Sequence, residues 1–176
     1  SFVKAGELDP SCASCFWGAS LALGPNYNMI MLPDRARPAW EALQLAQRAA
    51  PRATPVEQAL IEALAKRYPG PDAVEPAAMQ PHLEAYARAM EDVARRYQDD
   101  VDVQTLYAES LMMLSPWRLW TPDGKPAPQT GTIVTVLERV LERPPQHAGA
   151  NHYYIHTMEA SPEPQKAMNA AVRLPS

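Results

Sequence analysis

The chain has 176 residues, 47% of them apolar and 20% charged, with a formal net charge of −4. That composition can bury a core and is unlike that of a disordered segment. No basic patch stands out, which argues against nucleic acid as a partner, and no apolar run approaches the roughly 18–20 residues of a membrane span. Proline outnumbers glycine by 19 to 7, and alanine is frequent. Pro and Ala in such excess over β-branched residues argue against a sheet protein and predict many short helices, each stopped by Pro.

In chain order, Ser1 is not a start methionine and SFVKAGELDP has the pattern of a helix end. Residues 10–24 form a helical block with Phe16, Ala19, Ser20 and Leu23 at helical spacing, closed by Gly24-Pro25. GPNYNMIMLPD is a loop whose Met29, Ile30 and Met31 need burial. Residues 35–50 are helical, with Trp40, Leu43, Leu45 and Ala46 on or near the inner face. Thr54-Pro55-Val56-Glu57 predicts a helix start, with a capping box and Pro at the first helical position, and that helix runs to about Arg67.

PGPDAVEPAAMQP is a Pro-rich connector, followed by the longest helix over 79–97 with a charged outer face. Helices are predicted over 101–114, 131–143, 148–160 and 163–173, the last capped by Ser161-Pro162. The segment SPWRLWTPDGKPAPQTG between the first two is a long loop with two Trp. The total is eight or nine helices and no strand. AVRLPS stops as a helix finishes, so both chain ends are expected to be cuts from a longer protein.

A repeat lies under the insertions. Ala39-x3-Leu43-x2-Ala46-x4-Pro51 is a small–large–small–Pro pattern, and Phe2-x2-Ala5-x4-Pro10 matches its last three positions. Gln98 and Pro145 take the Pro position again, ahead of further helices. This grammar resembles the tetratricopeptide repeat (TPR), two antiparallel helices in roughly 34 residues. Three segments, GASLALGPNYN, LYAESLMMLSPWRLWTPDGKP and GANHYYIHTMEASPEP, together resemble a family of bacterial TPR-like proteins over nearly the whole chain.

The resemblance implies an all-α, TPR-like helix-turn-helix solenoid with Pro-rich insertions, one region over 1–176 of about four degenerate helix pairs. It also implies a bacterial protein, exported to the periplasm or cytoplasmic, and longer than this chain, with a further His-bearing stretch downstream. The family carries no settled biochemical activity.

The strongest candidate for chemistry is Asn151-His152-Tyr153-Tyr154-Ile155-His156 with Glu159. Histidines at i and i+4 share a helix face, and Glu159 follows on the same side. Two imidazoles and a carboxylate suit Zn, Cu or Fe, with His147 as a further ligand. Tyr153 stands where a zinc protease has its general base. The competing role is polar packing between helices.

The repeat register sends a stripe of each first helix into a concave groove. On it lie Trp17 and Leu21, Gln58 and Glu62, Thr105 and Glu109, then His152, His156 and Glu159. Trp17, Asn26, Asn28, Glu62, Glu109 and Tyr153 are the candidate groove residues, although Asn26 and Asn28 also suit a turn. Trp117 and Trp120 either wall a ligand site or pin the loop.

Cys12 and Cys15 have redox spacing at a helix start, against the alternative of two small residues in helix packing. No phosphate loop, nucleophile elbow or catalytic carboxylate pair appears. The functions these residues admit are a binding or scaffold module for a peptide, protein or small ligand, a metal-binding protein or metalloenzyme using His152 and His156, and a redox protein using Cys12 and Cys15.

Overall fold

The computed structural model describes residues 2–174. Among them are nine α-helices and no strand: α1 (Phe2–Leu8), α2 (Ala13–Leu23), α3 (Pro33–Ala49), α4 (Pro55–Ala65), α5 (Pro76–Arg96), α6 (Val101–Met112), α7 (Thr130–Glu142), α8 (Ala148–Met158) and α9 (Met168–Arg173). Short 3-10 turns cover Ala50–Arg52 and Pro164–Ala167. The all-helical class expected from composition is therefore present. Ser1, Pro175 and Ser176, on which the reading of the chain ends partly fell, lie outside the described residues.

Proline acts differently from expectation. Pro33, Pro55 and Pro76 open their helices, where the missing N–H has no intrahelical partner to lose. Helices α3 and α5 therefore start two and three residues earlier than the sequence predicts. Pro38 and Pro81 lie inside these helices, as the predicted ranges already place them, so not every Pro stops a helix. Each removes one backbone hydrogen bond without ending the helix.

The chain divides into two compact units, residues 1–93 and 94–176. In the first, α2 packs on α1 and α3 and also touches α4. The faces are small: Gly18, Ala19 and Ser20 are buried on α2, and Ala36, Ala39, Ala42, Leu43 and Ala46 on α3. Spacings of three and four put the α3 set on one stripe. Helices α1 and α2 interlock reciprocally, because a Cβ on Gly6 would strike the Phe16 ring and one on Gly18 the Phe2 ring. Leu45 and Ile30, both expected inside, are 38% and 62% exposed. Leu45 lies off the alanine stripe, and Ile30 projects from a turn closed by backbone pairing of Asn26 with Met29.

The capping box of α4 is formed: the Glu57 N–H donates to Thr54 Oγ1, and the Thr54 N–H donates to Glu57 Oε2 at 2.7 Å. Ser14 Oγ also donates to Glu57, tying α2 to the start of α4. These bonds, from Ser14 first and then Thr54, hold the Glu57 carboxyl below the ordinary range.

At the other end of α4, Arg67 is completely buried. Its Nη1 donates to the Pro25 carbonyl at 3.1 Å, and its Nη2 to the carbonyls of Leu21 at 3.0 Å and Ser20 at 3.4 Å. The Tyr68 hydroxyl donates to the same Ser20 carbonyl at 2.6 Å. The guanidinium lies over the rings of Tyr68 and Tyr86, 5.2 and 5.4 Å from their centres. It thus closes the C-terminal end of α2, where helix carbonyls lack partners.

The second unit packs α7 on α6 and α8, α6 on α8, and α8 on α9. Ile133, Leu137 and Val140 of α7, Val103, Leu111 and Met112 of α6 and Ala150, Tyr154 and Met158 of α8 are all buried. Asp100 caps α6 by accepting from the N–H groups of Asp102 and Val103. The loop before α7 is fastened by Trp120, whose Nε1 donates to the Thr157 carbonyl at 2.7 Å, and by Thr130, whose hydroxyl donates to the Leu119 carbonyl.

Replacing Arg67 by Met is expected to lower stability by about 3 kcal/mol, since buried carbonyls lose their donors. Replacing it by Lys restores less than half, because an ammonium has neither the fork nor the flat face. Urea unfolding followed by helical circular dichroism measures both. A Met variant within about 0.5 kcal/mol of the parent would show that the guanidinium is dispensable.

Candidate functional site

The site with the most chemistry is built on α8. His147 caps this helix: its Nδ1 accepts from the Ala150 N–H at 3.1 Å. Acceptance at Nδ1 places the proton on Nε2, which donates to Asp102 Oδ1 at 3.0 Å. Asn151, fully buried, donates from Nδ2 to the carbonyls of Pro145 at 2.8 Å and His147 at 3.0 Å. These two residues fix how the chain enters α8 and therefore which way its faces point.

One turn apart on α8, His152 and His156 lie with ring centres 4.8 Å apart and planes at 71°. His156 Nδ1 pairs with Glu159 Oε1 at 2.8 Å. The Trp117 ring meets His156 edge to face at 5.6 Å, and Tyr153 meets His152 at 5.7 Å. Trp117 is 60% exposed and has a positive φ of 59°. That backbone conformation is costly for a bulky side chain. Burial, then the neighbouring His156, push the His152 pKa down, and Glu159 partly opposes this. His152 is thereby kept as neutral imidazole through neutral pH.

The structure brings His152, His156, Glu159, Tyr153 and Trp117 together. It does not bring His147 to them: the His147 Nδ1 caps α8 itself and its Nε2 is bonded to Asp102 of α6. Among the described residues no group of three or more His, Cys, Asp or Glu is arranged to hold a metal ion. The four-ligand shell of His147, His152, His156 and Glu159 is thus not assembled. Glu109 and Thr105, expected on an open groove, are each only 4% exposed.

The remaining groove candidates, Trp17, Asn26, Asn28 and Glu62, belong to the first unit. Trp17 packs against Ala13, Ala46 and Ile61. Asn26 Oδ1 accepts from the Asn28 N–H at 2.9 Å, which is the turn role. Asn28 and Glu62 are exposed. Cys12 and Cys15 are joined by a disulfide at the start of α2.

Helical spacing located the His pair but missed its contact with Trp117, which is 39 residues away in sequence from His156. Nothing local in the sequence marks which of the two loop tryptophans anchors and which stays open. Also unforeseen is Tyr154, on the opposite side of α8 from the histidines. Its hydroxyl donates to Glu138 Oε1 at 2.8 Å, and burial pushes its pKa up. It lines an open cavity of about 310 Å³ with Glu138, Glu142, Lys166 and Arg173.

Comparison with protein-family models, curated proteins and solved structures finds no match for the chain.

The pH behaviour of the site is checkable by proton NMR of the ring resonances. His152 is expected to titrate below the ordinary histidine range. His156→Ala is expected to raise that pKa by removing the neighbour that pushes it down, and Glu159→Gln to lower it further. Because the folded-state pKa is depressed, the contribution of neutral His152 to stability is present above the unfolded pKa and is lost as pH falls through the folded one. An ordinary pKa in the parent, unmoved by either change, would contradict the packing described.

Proposed function

We propose that the chain is a TPR-like binding and scaffold module, and that the Trp117–His156–His152 face is where its second unit holds a peptide, protein segment or small ligand. Within each unit, the first helices of two successive helix pairs meet: α2 touches α4, and α6 touches α8. Stacked helix pairs pack this way and leave surfaces open for partners. The observation that carries the reading is Trp117. A large aromatic is held mostly exposed on a costly backbone conformation, edge-on to a polar ring. Exposed aromatic anchors of this kind dominate binding energy in interfaces, and strained backbone tends to gather at ligand sites.

The test is selection of a random-peptide display library on the full chain, followed by titration of the enriched peptides. Trp117→Ala is expected to weaken binding at least ten-fold, about 1.4 kcal/mol. Its thermal unfolding should remain near that of the parent, because the ring is largely exposed. Enriched peptides that bind the parent and the Trp117→Ala variant alike would remove this face from the reading.

A second reading, a metal-binding protein using His152 and His156, has the ring spacing in its favour. With metal–nitrogen bonds of about 2.0–2.1 Å and ring centres roughly 1 Å beyond, two imidazoles on one ion have centres about 4.5–5 Å apart. The observed 4.8 Å falls within that span. Zn, Cu or Fe would then be held by two protein ligands, with Glu159 orienting His156 and water completing the shell. Titration calorimetry with Zn and Cu salts is expected to give one site per chain, lost in the His152→Ala/His156→Ala variant. No metal uptake by the parent would end this reading and leave the peptide reading intact.

A further inference from the structure

The first unit carries a separate reactive feature, the disulfide between Cys12 and Cys15. It closes within the first turn of α2 and joins no two elements of the fold. A bridge over so short a loop constrains the unfolded chain least among disulfides. Helix α2 is fastened independently, to α1 by the Phe2 and Phe16 rings and at its far end by Arg67. A purely stapling role is therefore weakly supported by the packing.

The chemistry around the sulfurs is directional. Cys12 is the N-cap residue of α2, and its Sγ accepts from the Cys15 N–H at 3.2 Å. Amide N–H groups at a helix start stabilise negative charge, so a thiolate formed at Cys12 keeps its donor after the bridge opens. Cys15 sits inside the helix without that position. Both cysteines are only partly buried, so an incoming sulfur can reach the bridge. The carboxylates bonded to Ser11 and Ser14, beside the two cysteines, are engaged: Asp9 by the Ser11 N–H and hydroxyl, and Glu57 by Ser14 and Thr54.

We propose that Cys12 and Cys15 form a dithiol–disulfide exchange centre, with Cys12 the exchanging sulfur, acting on a substrate that carries a dithiol or its disulfide. From the oxidised form seen here, a substrate thiolate attacks Cys12 Sγ, the bridge breaks, and Cys15 leaves as a thiolate and takes a proton. The second substrate thiol then displaces Cys12. The substrate departs as a disulfide, and the protein holds the two electrons and two protons as a dithiol. In reverse, the capped Cys12 thiolate attacks a substrate disulfide, and Cys15 resolves the mixed disulfide.

Two measurements test this on the full chain, with glutathione as the probe. The parent is equilibrated with mixtures of reduced and oxidised glutathione, trapped by alkylation and weighed by mass spectrometry, while circular dichroism verifies that it stays folded. A reversible gain of two thiols within the series is expected. A bridge that stays closed in every mixture while the chain is folded would overturn the proposal. In the single-cysteine variants Cys15→Ser and Cys12→Ser, the remaining thiol is timed against oxidised glutathione. Cys12 is expected to form the mixed disulfide at least five-fold faster than Cys15. Equal rates, or a faster Cys15, would overturn the assignment of Cys12.

Discussion

A buried guanidinium organises the first unit. The end of α2 presents carbonyls with no helical partner in a place sealed from water, and such carbonyls must be bonded or the fold loses stability. Arg67 supplies donors in a planar fork, and Tyr68 adds its hydroxyl to the same Ser20 carbonyl. The interaction sets its own conditions. Gly24 cannot carry a side chain, because a Cβ there would occupy the space of the guanidinium and the Tyr68 hydroxyl. The chain after Gly24 must turn so that the Pro25 carbonyl points inward. The positive charge sits among carbonyl dipoles and over two tyrosine rings, which reduces the cost of taking it out of water. Beyond this fixed point the chain pairs Asn26 with Met29 and leaves Ile30 outside and Met31 inside.

Close packing of small residues has the same origin on both sides of α2. Alanines on α3 and glycines on α1 and α2 let backbones approach, and the large rings of Phe2 and Phe16 fill the gaps the glycines leave. In this unit Gly6, Gly18 and Gly24 each stand where another side chain enters. The many prolines are compatible with this because several stand at helix starts, where their missing N–H costs nothing.

Local physics was legible in the sequence and long-range physics was not. The capping box of Thr54 and Glu57, the end of α2 at Gly24 and the shared face of His152 and His156 depend on residues within one or two turns, and spacing alone located them. The roles of Arg67 and Trp117 depend on partners about 40 residues away. A lysine- or arginine-type residue at a helix end ordinarily marks a solvated terminus, so nothing in Ala65-Lys66-Arg67-Tyr68 announces burial. His147 shows the opposite limit. Its residue type suggested a ligand, while its position as N-cap, readable from the helix that follows, decided its actual work. Proline is tolerated inside α3 and α5 because a Pro six residues into a helix costs one hydrogen bond, which the packing of a 17- or 21-residue helix outweighs.

The second unit shows how a rigid frame can hold an exposed group. Trp120 is tied by its indole N–H to the last turn of α8, and Leu119 beside it is buried and bonded through its carbonyl to Thr130. With those two residues fixed, the chain just before them has little freedom, and Trp117 is carried back over His156 in a backbone conformation it would not choose alone. The histidines are fixed from the other side, since His147 and Asn151 lock the first turn of α8 and helical pitch does the rest. Loop and helix therefore converge on one aromatic and imidazole face, joined by the Trp120 bond to Thr157. For the binding role proposed above, a face fixed from both sides in this way would lower the ordering cost of taking a partner.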